Sequence, residues 1–299
     1  MFALNQAPTL DEPWLQFKNL QVRQLAFCLS SPNILQSIPS ELRFKQHTFQ
    51  LHSQHTWAIH FKNYHARLLY LDRHPQELEL FLQRLKSTRL GLRFEMFIWF
   101  WLLDQAYHPY QVLGHSIQKI VARQTIGELD FLLLNHENNQ VEHWEVALKY
   151  YLAETDYTLP CWYGLNRSDQ LIRKLNHFSQ QQFQFDEALE QTIEQRFVVL
   201  KGQLYLPLQH HLRPLPDWVN QERRLGYWGS TIPPNHAQFY RLHRQEWICP
   251  AYTPTSQPAH WWINGLYRQY DQPNYYMFRN SALLLQDFKS QIHQKSLSL

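Results

Sequence analysis

The chain has 299 residues, of which 44% are hydrophobic and 15% aromatic, and this composition excludes a disordered protein. It predicts one large or two small globular units with a substantial core. The formal net charge of +3 permits contact with DNA or RNA without requiring it. Cys28, Cys161 and Cys249 form no CxxC pair and leave one cysteine over from any disulfide scheme, which favours a reducing cytoplasm.

Targeting signals are not evident. The first residues, MFALNQAPTLDEPW, lack a basic region followed by a continuous apolar segment, so we expect no signal peptide. The longest apolar stretch, Phe94 to Leu103, is about half as long as a membrane span requires and contains Glu95. We therefore expect a soluble, cytoplasmic protein that does not bind a membrane.

The first third of the chain has helical patterns. From about Gln21 to Leu85 the pattern is mostly helical, with a break at Ser-Ser-Pro-Asn, which predicts a helical N-terminal cap over residues 1–88. The segment from Leu90 to Tyr107 is apolar nearly all round and predicts a buried helix. Glu95 is a carboxylate in the otherwise apolar stretch of this helix.

Strand patterns follow. A strand is predicted from His115 to Arg123, and the mostly apolar alternation of residues 129–134 predicts an inner strand. The polar residues 136–140 separate it from a β-branched and aromatic run over 141–152, which together predict an antiparallel hairpin. A helix is expected around 167–182, then a strand pair over 196–207 that turns at Lys201-Gly202. Beyond Pro207 the chain is aromatic-rich, with short strands.

The hairpin carries acidic residues on one face of each strand. Because residues two apart in a strand point the same way, Glu128 and Asp130 share a face, as do Glu145 and Lys149. Paired strands lie roughly 4.8 Å apart, which places Asp130 beside Glu145. Two carboxylates about 4 Å apart repel by roughly 4 kcal/mol at an effective dielectric near 20, so a proton or a cation must lie between them. Mg²⁺ often uses one or two carboxylates plus water and phosphate oxygens. The pattern indicates a metal site facing a phosphate-bearing substrate.

These residues resemble a known superfamily. The order helix, three strands, helix, strand, with Gly127-Glu128-Leu129-Asp130 and then Glu145, is similar to the α/β core of the PD-(D/E)XK nucleases. The segments LAFCLSSPNIL, TIGELDFLLLN, HWEVALKYYL and LNRSDQLIRKL resemble the bacterial family catalogued as domain of unknown function 1853, over roughly residues 20 to 280.

The resemblance to the PD-(D/E)XK superfamily implies a core over residues 89–207 and a C-terminal extension, 208–299, packed on it, whereas the narrower family implies no activity. It also implies that Asp130 and Glu145 bind Mg²⁺ or Mn²⁺, that a lysine orients or activates water, and that Glu95 assists. The superfamily pattern puts that lysine two residues after the second acid, where this chain has Ala147. Lys149 shares the face but lies about 13 Å from Glu145 along the strand, against roughly 7 Å for the usual spacing.

Other basic residues are alternatives to Lys149. Lys119 and Lys174 are substitutes for the missing lysine, and Glu128, Lys119, Arg173 and Lys174 are possible substrate contacts. Each candidate also has a purely structural interpretation. Asp130 could pair with Arg123 and Glu145 with Lys119, Glu95 could form a salt bridge, and Lys149 or the basic helix could simply face solvent.

Three functions remain open at this stage: a Mg²⁺-dependent nuclease, a non-catalytic member of the same fold that binds nucleic acid or protein, and a metal-dependent enzyme acting on a smaller phosphorylated substrate. The oligomeric state also stays open. His55, His60 and His65 fit neither one helix face nor one strand face, so they do not indicate zinc. The chain lacks a Gly-rich phosphate loop and a GxSxG elbow.

Overall fold

The structure is a computed structural model that describes residues 10–42, 47–154, 156–209, 213–254 and 261–279. Within these ranges the α-helices are α1 (Leu20–Ser30), α2 (Gln54–Arg73), α3 (Gln76–Leu82), α4 (Leu90–Leu103) and α5 (Leu171–Gln180). The helical prediction for the first third is confirmed in α1 to α3, although a long loop separates α1 from α2. The side chains of Asn19 and Ser53 cap α1 and α2 by accepting backbone N–H groups of the first turn.

The strands over the same ranges are β1 (Tyr110–Val121), β2 (Gln124–Asn135), β3 (Gln140–Ala153), β4 (Trp162–Tyr163), β5 (Glu187–Ala188), β6 (Gln191–Thr192), β7 (Gln195–Pro207), β8 (Gly226–Gly229), β9 (Phe239–Arg241), β10 (Gly265–Gln269) and β11 (Tyr275–Phe278). The main sheet has the order β1-β2-β3-β7-β8-β11-β10-β9, with β4 paired to β3, while β5 and β6 pair separately. The protein is therefore a mixed α/β fold.

The predicted hairpin is present. β1, β2 and β3 form an antiparallel meander, in which Phe131 of β2 lies opposite Trp144 of β3. β1 is longer than expected and ends two residues earlier, because Ala122 and Arg123 have positive φ angles of 48° and 68° and make a tight turn into β2.

The expected turn at Lys201-Gly202 is wrong. β7 is one continuous strand that pairs parallel to β3 without a register shift from Glu142 opposite Gln195 to Leu152 opposite Tyr205. Gly202 does have a positive φ, of 131°, but it serves a close approach between neighbouring strands. A Cβ atom at this position would overlap the carbonyl oxygen of Lys149.

Helices cover both faces of the sheet. α1, α2 and α4 pack on one face, where Trp57, Trp101 and Trp144 are fully buried. α5 is the crossover between the parallel strands β3 and β7, and its Leu175 and Phe178 pack on the opposite face. In the described ranges no helix is both long and apolar enough to cross a bilayer.

A buried histidine makes the stability of this fold sensitive to acid. His60 is 4% exposed, and burial lowers its pKa to about 3. The imidazole is protonated in the unfolded chain below about pH 6.5 but stays neutral in the folded chain. Its stabilising contribution is therefore complete above pH 6.5 and is lost as the pH falls toward 3. At pH 5 the loss is about 2 kcal/mol.

We expect the His60→Gln variant to show a flatter fall of the unfolding midpoint between pH 6.5 and 5 than the wild type, measured by circular dichroism. The exposed His55 on the same helix is the matched control, because its replacement by Gln leaves the wild-type slope unchanged. Identical slopes for His60→Gln and the wild type would contradict this assignment.

Candidate active site

The two predicted acids meet where β2 and β3 separate. Pairing of these strands ends at Phe131 and Trp144, and the next residue on each strand is Asp130 and Glu145. The N–H of Val146 donates to Asp130 Oδ2 at 2.8 Å. The Asp130 carboxyl group therefore takes the place of a backbone acceptor for this N–H, where the pairing of β2 with β3 has ended. The hairpin therefore brings the two carboxyl groups close together on the same face of the sheet.

The acids lie in surroundings that oppose two negative charges. Glu145 is fully buried, and burial raises its pKa. Burial also raises the pKa of Asp130 well above its ordinary range, and the charge of Glu145 raises it further. The pair consequently retains a proton at pH values at which separate carboxyl groups are ionised.

The groups around Glu145 come from β3 and from the end of α5. Its Oε1 accepts a hydrogen bond from His143 Nε2 at 2.8 Å, and its Oε2 accepts one from Gln182 Nε2. Lys174 on α5 donates to Gln182 Oε1 at 3.1 Å. Burial lowers the pKa of Lys174, and the charges of Glu145 and Asp130 oppose this shift. Lys174 is therefore the ammonium group associated with the two acids.

Lys149 has a different partner. Its Nζ lies 2.8 Å from Asp169 Oδ2, and the other oxygen of Asp169 accepts the Tyr151 hydroxyl at 3.1 Å. Asp169 lies in the loop before α5. Lys149 thus holds this loop against β3.

The remaining candidates have partners outside the acid pair. Glu95 is 2.8 Å from His115 Nε2, and its charge also raises the pKa of Asp130. Glu128 accepts the exposed Ser116 hydroxyl at 2.7 Å. Lys119 lies over the Phe185 ring, at 5.7 Å from its centroid.

The arginines in and before α5 bind partners outside the acid pair. The exposed Arg173 donates to the Ser168 carbonyl at 3.4 Å, while Arg167 binds Glu154 at 2.7 Å. Among the described ion pairs there is none between Asp130 and Arg123 or between Glu145 and Lys119.

Two residues of the site were missed as functional residues. His143 shares the Glu145 face at the two-residue spacing of a strand, and this spacing was the available signal. Burial lowers the pKa of His143 to about 3, so its ring is neutral and donates a hydrogen bond from Nε2–H to the Glu145 carboxylate. Gln182 lies in a short 3-10 turn after α5, and no sequence pattern marks it.

The oxygen ligands at this site suit Mg²⁺ or Mn²⁺. Among the described residues, no group of three or more His, Cys, Asp or Glu is arranged to hold a metal, so an all-protein cage of the zinc type is not formed there. Mg²⁺ needs only one or two carboxylates when water and phosphate complete its octahedron. Each oxygen of Glu145 accepts one protein hydrogen bond and keeps a second lone pair. Asp130 and Glu145 therefore fit such an ion.

Comparison with known proteins identifies the family. No curated protein and no solved structure matches the chain. A family model described as Domain of unknown function (DUF1853) matches residues 23–292, which is most of the chain and includes α4, the strands β1 to β3, α5 and β7. The chain therefore belongs to the DUF1853 family.

Proposed function

We propose that this protein is a Mg²⁺-dependent nuclease with a PD-(D/E)XK-like core that hydrolyses phosphodiester bonds in DNA or RNA. Its main support is the proximity of Asp130 and Glu145, together with Lys174, at the point where β2 and β3 part. The element order supports it, because α4, the meander β1 to β3, the crossover α5 and the parallel β7 follow the order helix, three strands, helix, strand.

The site provides separate groups for metal binding and for charge stabilisation. Asp130 and Glu145 would hold Mg²⁺ or Mn²⁺, which when bound polarises the scissile phosphate and lowers the pKa of an attacking water. His143 and Gln182 fix the Glu145 carboxylate by hydrogen bonds to its two oxygens. Lys174 supplies positive charge to the phosphate oxygens as negative charge develops on them. Glu95 lies close enough to add to the negative field at Asp130.

We assign the catalytic lysine role to Lys174 rather than to Lys149. The PD-(D/E)XK pattern has its lysine two residues after the second acid, but this chain has Ala147 there, on β3. Lys174 reaches the acids from α5 through Gln182, whereas Lys149 is engaged by Asp169. The ammonium group is thus supplied by the helix on the same face of the sheet.

Replacement of Lys174 by Met is expected to lower the cleavage rate about a hundredfold or more, the usual effect of removing one donor to the transition state. Lys149→Met is the matched variant on the same face, and we expect a rate within about threefold of the wild type. The measurement is single-turnover cleavage of labelled single-stranded and duplex DNA and RNA in Mg²⁺ and in Mn²⁺. A larger loss with Lys149→Met, or no metal-dependent cleavage of any substrate, would refute the assignment.

One observation favours a non-catalytic protein of the same fold. The carboxyl pair, His143 and Gln182 already satisfy one another with hydrogen bonds and a retained proton. A protein that only binds nucleic acid or a protein partner would keep this network at all metal concentrations. Divalent-ion binding separates the two functions, because the nuclease requires it. A metal enzyme acting on a smaller phosphorylated substrate also requires it, but lacks salt-sensitive binding to DNA or RNA.

A further inference from the structure

A basic cleft of about 490 Å³ lies between the loop before α5 and the segment after β9. Asn166 lines one side, and Arg241, His243, Arg244 and Trp247 line the other. Among the described residues that line the cleft, none has an acidic side chain. The cleft therefore presents positive charge and amide groups to solvent.

The acid nearest to Arg244 in sequence is Glu246, whose carboxylate binds backbone N–H groups and not Arg244. Glu246 is 2% exposed, and its two carboxylate oxygens accept the backbone N–H groups of His243 at 2.7 Å and of Ala251 at 3.3 Å. The Arg244 guanidinium instead lies over the Trp247 ring, 4.1 Å from its centroid. The charge of Arg244 is therefore available to an anionic ligand.

The exposed indole of Trp262 lies beside Arg241, another basic residue of the cleft. Trp262 is 57% exposed, and the Arg241 guanidinium lies 5.9 Å from the centroid of its ring. Asn264, two residues later, lines the cleft itself. An exposed aromatic ring next to guanidinium groups is the combination with which proteins bind single-stranded nucleic acids, because the ring stacks on a base while the arginines contact phosphates.

The cleft is physically linked to the candidate active site. The Asn166 carbonyl accepts the N–H of Asp169 at 2.9 Å, and the Asp169 carboxylate binds Lys149. On the other side, the Tyr150 hydroxyl donates to the Trp247 carbonyl at 2.8 Å. Tyr150 follows Glu145 by five residues of β3, or about 17 Å along the strand, and this odd spacing puts its side chain on the opposite face of the sheet.

We propose that this cleft binds a single-stranded segment of the nucleic acid on one side of the cleavage position, with phosphates on Arg241 and Arg244 and a base stacked on Trp262. The inference rests on the nuclease function proposed above, since it defines the form of the strand presented to Asp130 and Glu145. Bases of an intact duplex are already stacked on one another, so they cannot occupy the Trp262 ring in the same way.

The test is fluorescence anisotropy of labelled oligo-dT and of a duplex of equal length, bound to the full-length protein in EDTA so that no cleavage occurs. The double variant Arg241→Glu/Arg244→Glu is expected to bind oligo-dT at least tenfold more weakly. The slope of the logarithm of its binding constant against the logarithm of the salt concentration should become about 1.4 less steep. Each single-strand phosphate contact contributes about 0.7 to this slope, and the variant loses two contacts. Lys62→Glu/Arg73→Glu, on the exposed face of α2, is the control with the same change of charge and should stay within twofold of the wild type.

A second variant tests the stacking. Trp262→Ala should weaken oligo-dT binding about fivefold or more and leave duplex binding unchanged, while Trp262→Phe restores most of the affinity. The inference would be overturned if Arg241→Glu/Arg244→Glu and the control Lys62→Glu/Arg73→Glu weakened oligo-dT binding equally. It would also be overturned if Trp262→Ala weakened the binding of oligo-dT and of the duplex equally. If cleavage occurs and the Arg241 and Arg244 reversals leave binding unchanged, the inference fails and the nuclease function stands. If the reversals weaken binding but no cleavage occurs, the nuclease function fails and the cleft assignment stands.

Discussion

Replacement of Glu145 by Gln is expected to abolish metal-dependent cleavage, with a rate at least about a thousandfold below that of the wild type, since metal-ion catalysis supplies several kcal/mol of charge stabilisation. Gln keeps the size of the side chain but removes the negative charge that would hold the ion. The measurement is single-turnover cleavage at saturating Mg²⁺. The exposed Glu187, replaced by Gln, is the control for loss of one negative charge and should retain wild-type activity.

The same variant should lose less stability than the wild type as the pH rises from 5 to 8 without metal. The pKa of Glu145 is raised by burial, so the stability that its protonated form provides is complete below the unfolded pKa of about 4.3 and is lost as the pH rises through the folded pKa. The Gln side chain stays neutral at every pH, so the variant does not undergo this loss. Its NH2 group faces one of the two donors, His143 or Gln182, so the test compares the pH dependence and not the absolute stability. A rate within tenfold of the wild type, or an unfolding midpoint that falls with pH as steeply as that of the wild type, would contradict the assignment of this site.

Replacement of Gly202 by Ala is expected to destabilise the protein by about 3 to 5 kcal/mol, a large effect for one methyl group. The positive φ of 131° is strained for any residue with a Cβ atom, and this atom would overlap the Lys149 carbonyl oxygen in the next strand. β3 and β7 would have to separate beside the candidate site. The free energy of unfolding in urea measures the effect.

Gly91 provides the matched control for Gly202. It lies in the exposed first turn of α4, and a Cβ atom there would meet nothing within 4 Å. Gly91→Ala should therefore be neutral or stabilise the protein by up to about 1 kcal/mol. Equal free energies of unfolding for the two variants would show that Gly202 does not serve the close approach of β3 and β7.

Local patterns were sufficient to predict the hairpin and its acids. Alternation along residues 129–134 and the polar turn after it depend only on neighbouring residues, and antiparallel pairing then puts Asp130 beside Glu145. The buried α4 was predicted for a similar reason, since its apolar residues occupy all sides. The proximity of the two carboxyl groups required no distant part of the chain.

The error at Gly202 has a physical origin. A glycine between β-branched runs commonly marks a turn, and the same positive φ also permits two strands to approach closely. The choice between these depends on β3, which is about fifty residues earlier and pairs in parallel through a helical crossover. The position of Lys174 beside the acids depends on the same crossover. Sequence spacing along β3 alone therefore favoured Lys149.

The pairing of the C-terminal strands was also beyond local reasoning. β8 pairs in parallel with β7 and with β11, and these contacts extend the sheet that carries the site. Short aromatic runs such as Tyr275–Phe278 show β propensity but carry no information about which strand they join. The basic cleft lies among these late segments, so its link to the active site could not be anticipated.

We propose that Asp130 and Glu145 exchange a retained proton for a divalent ion. Calorimetric titration of Mn²⁺ and Mg²⁺ at pH 7, alone and with thymidine 3′,5′-bisphosphate, in two buffers of different ionisation enthalpy, tests it directly. We expect binding with release of up to about one proton per ion in the wild type, and no binding in Asp130→Asn/Glu145→Gln. Absence of binding in the wild type under every condition, or equal binding by the double variant, would contradict the metal site and favour a non-catalytic protein.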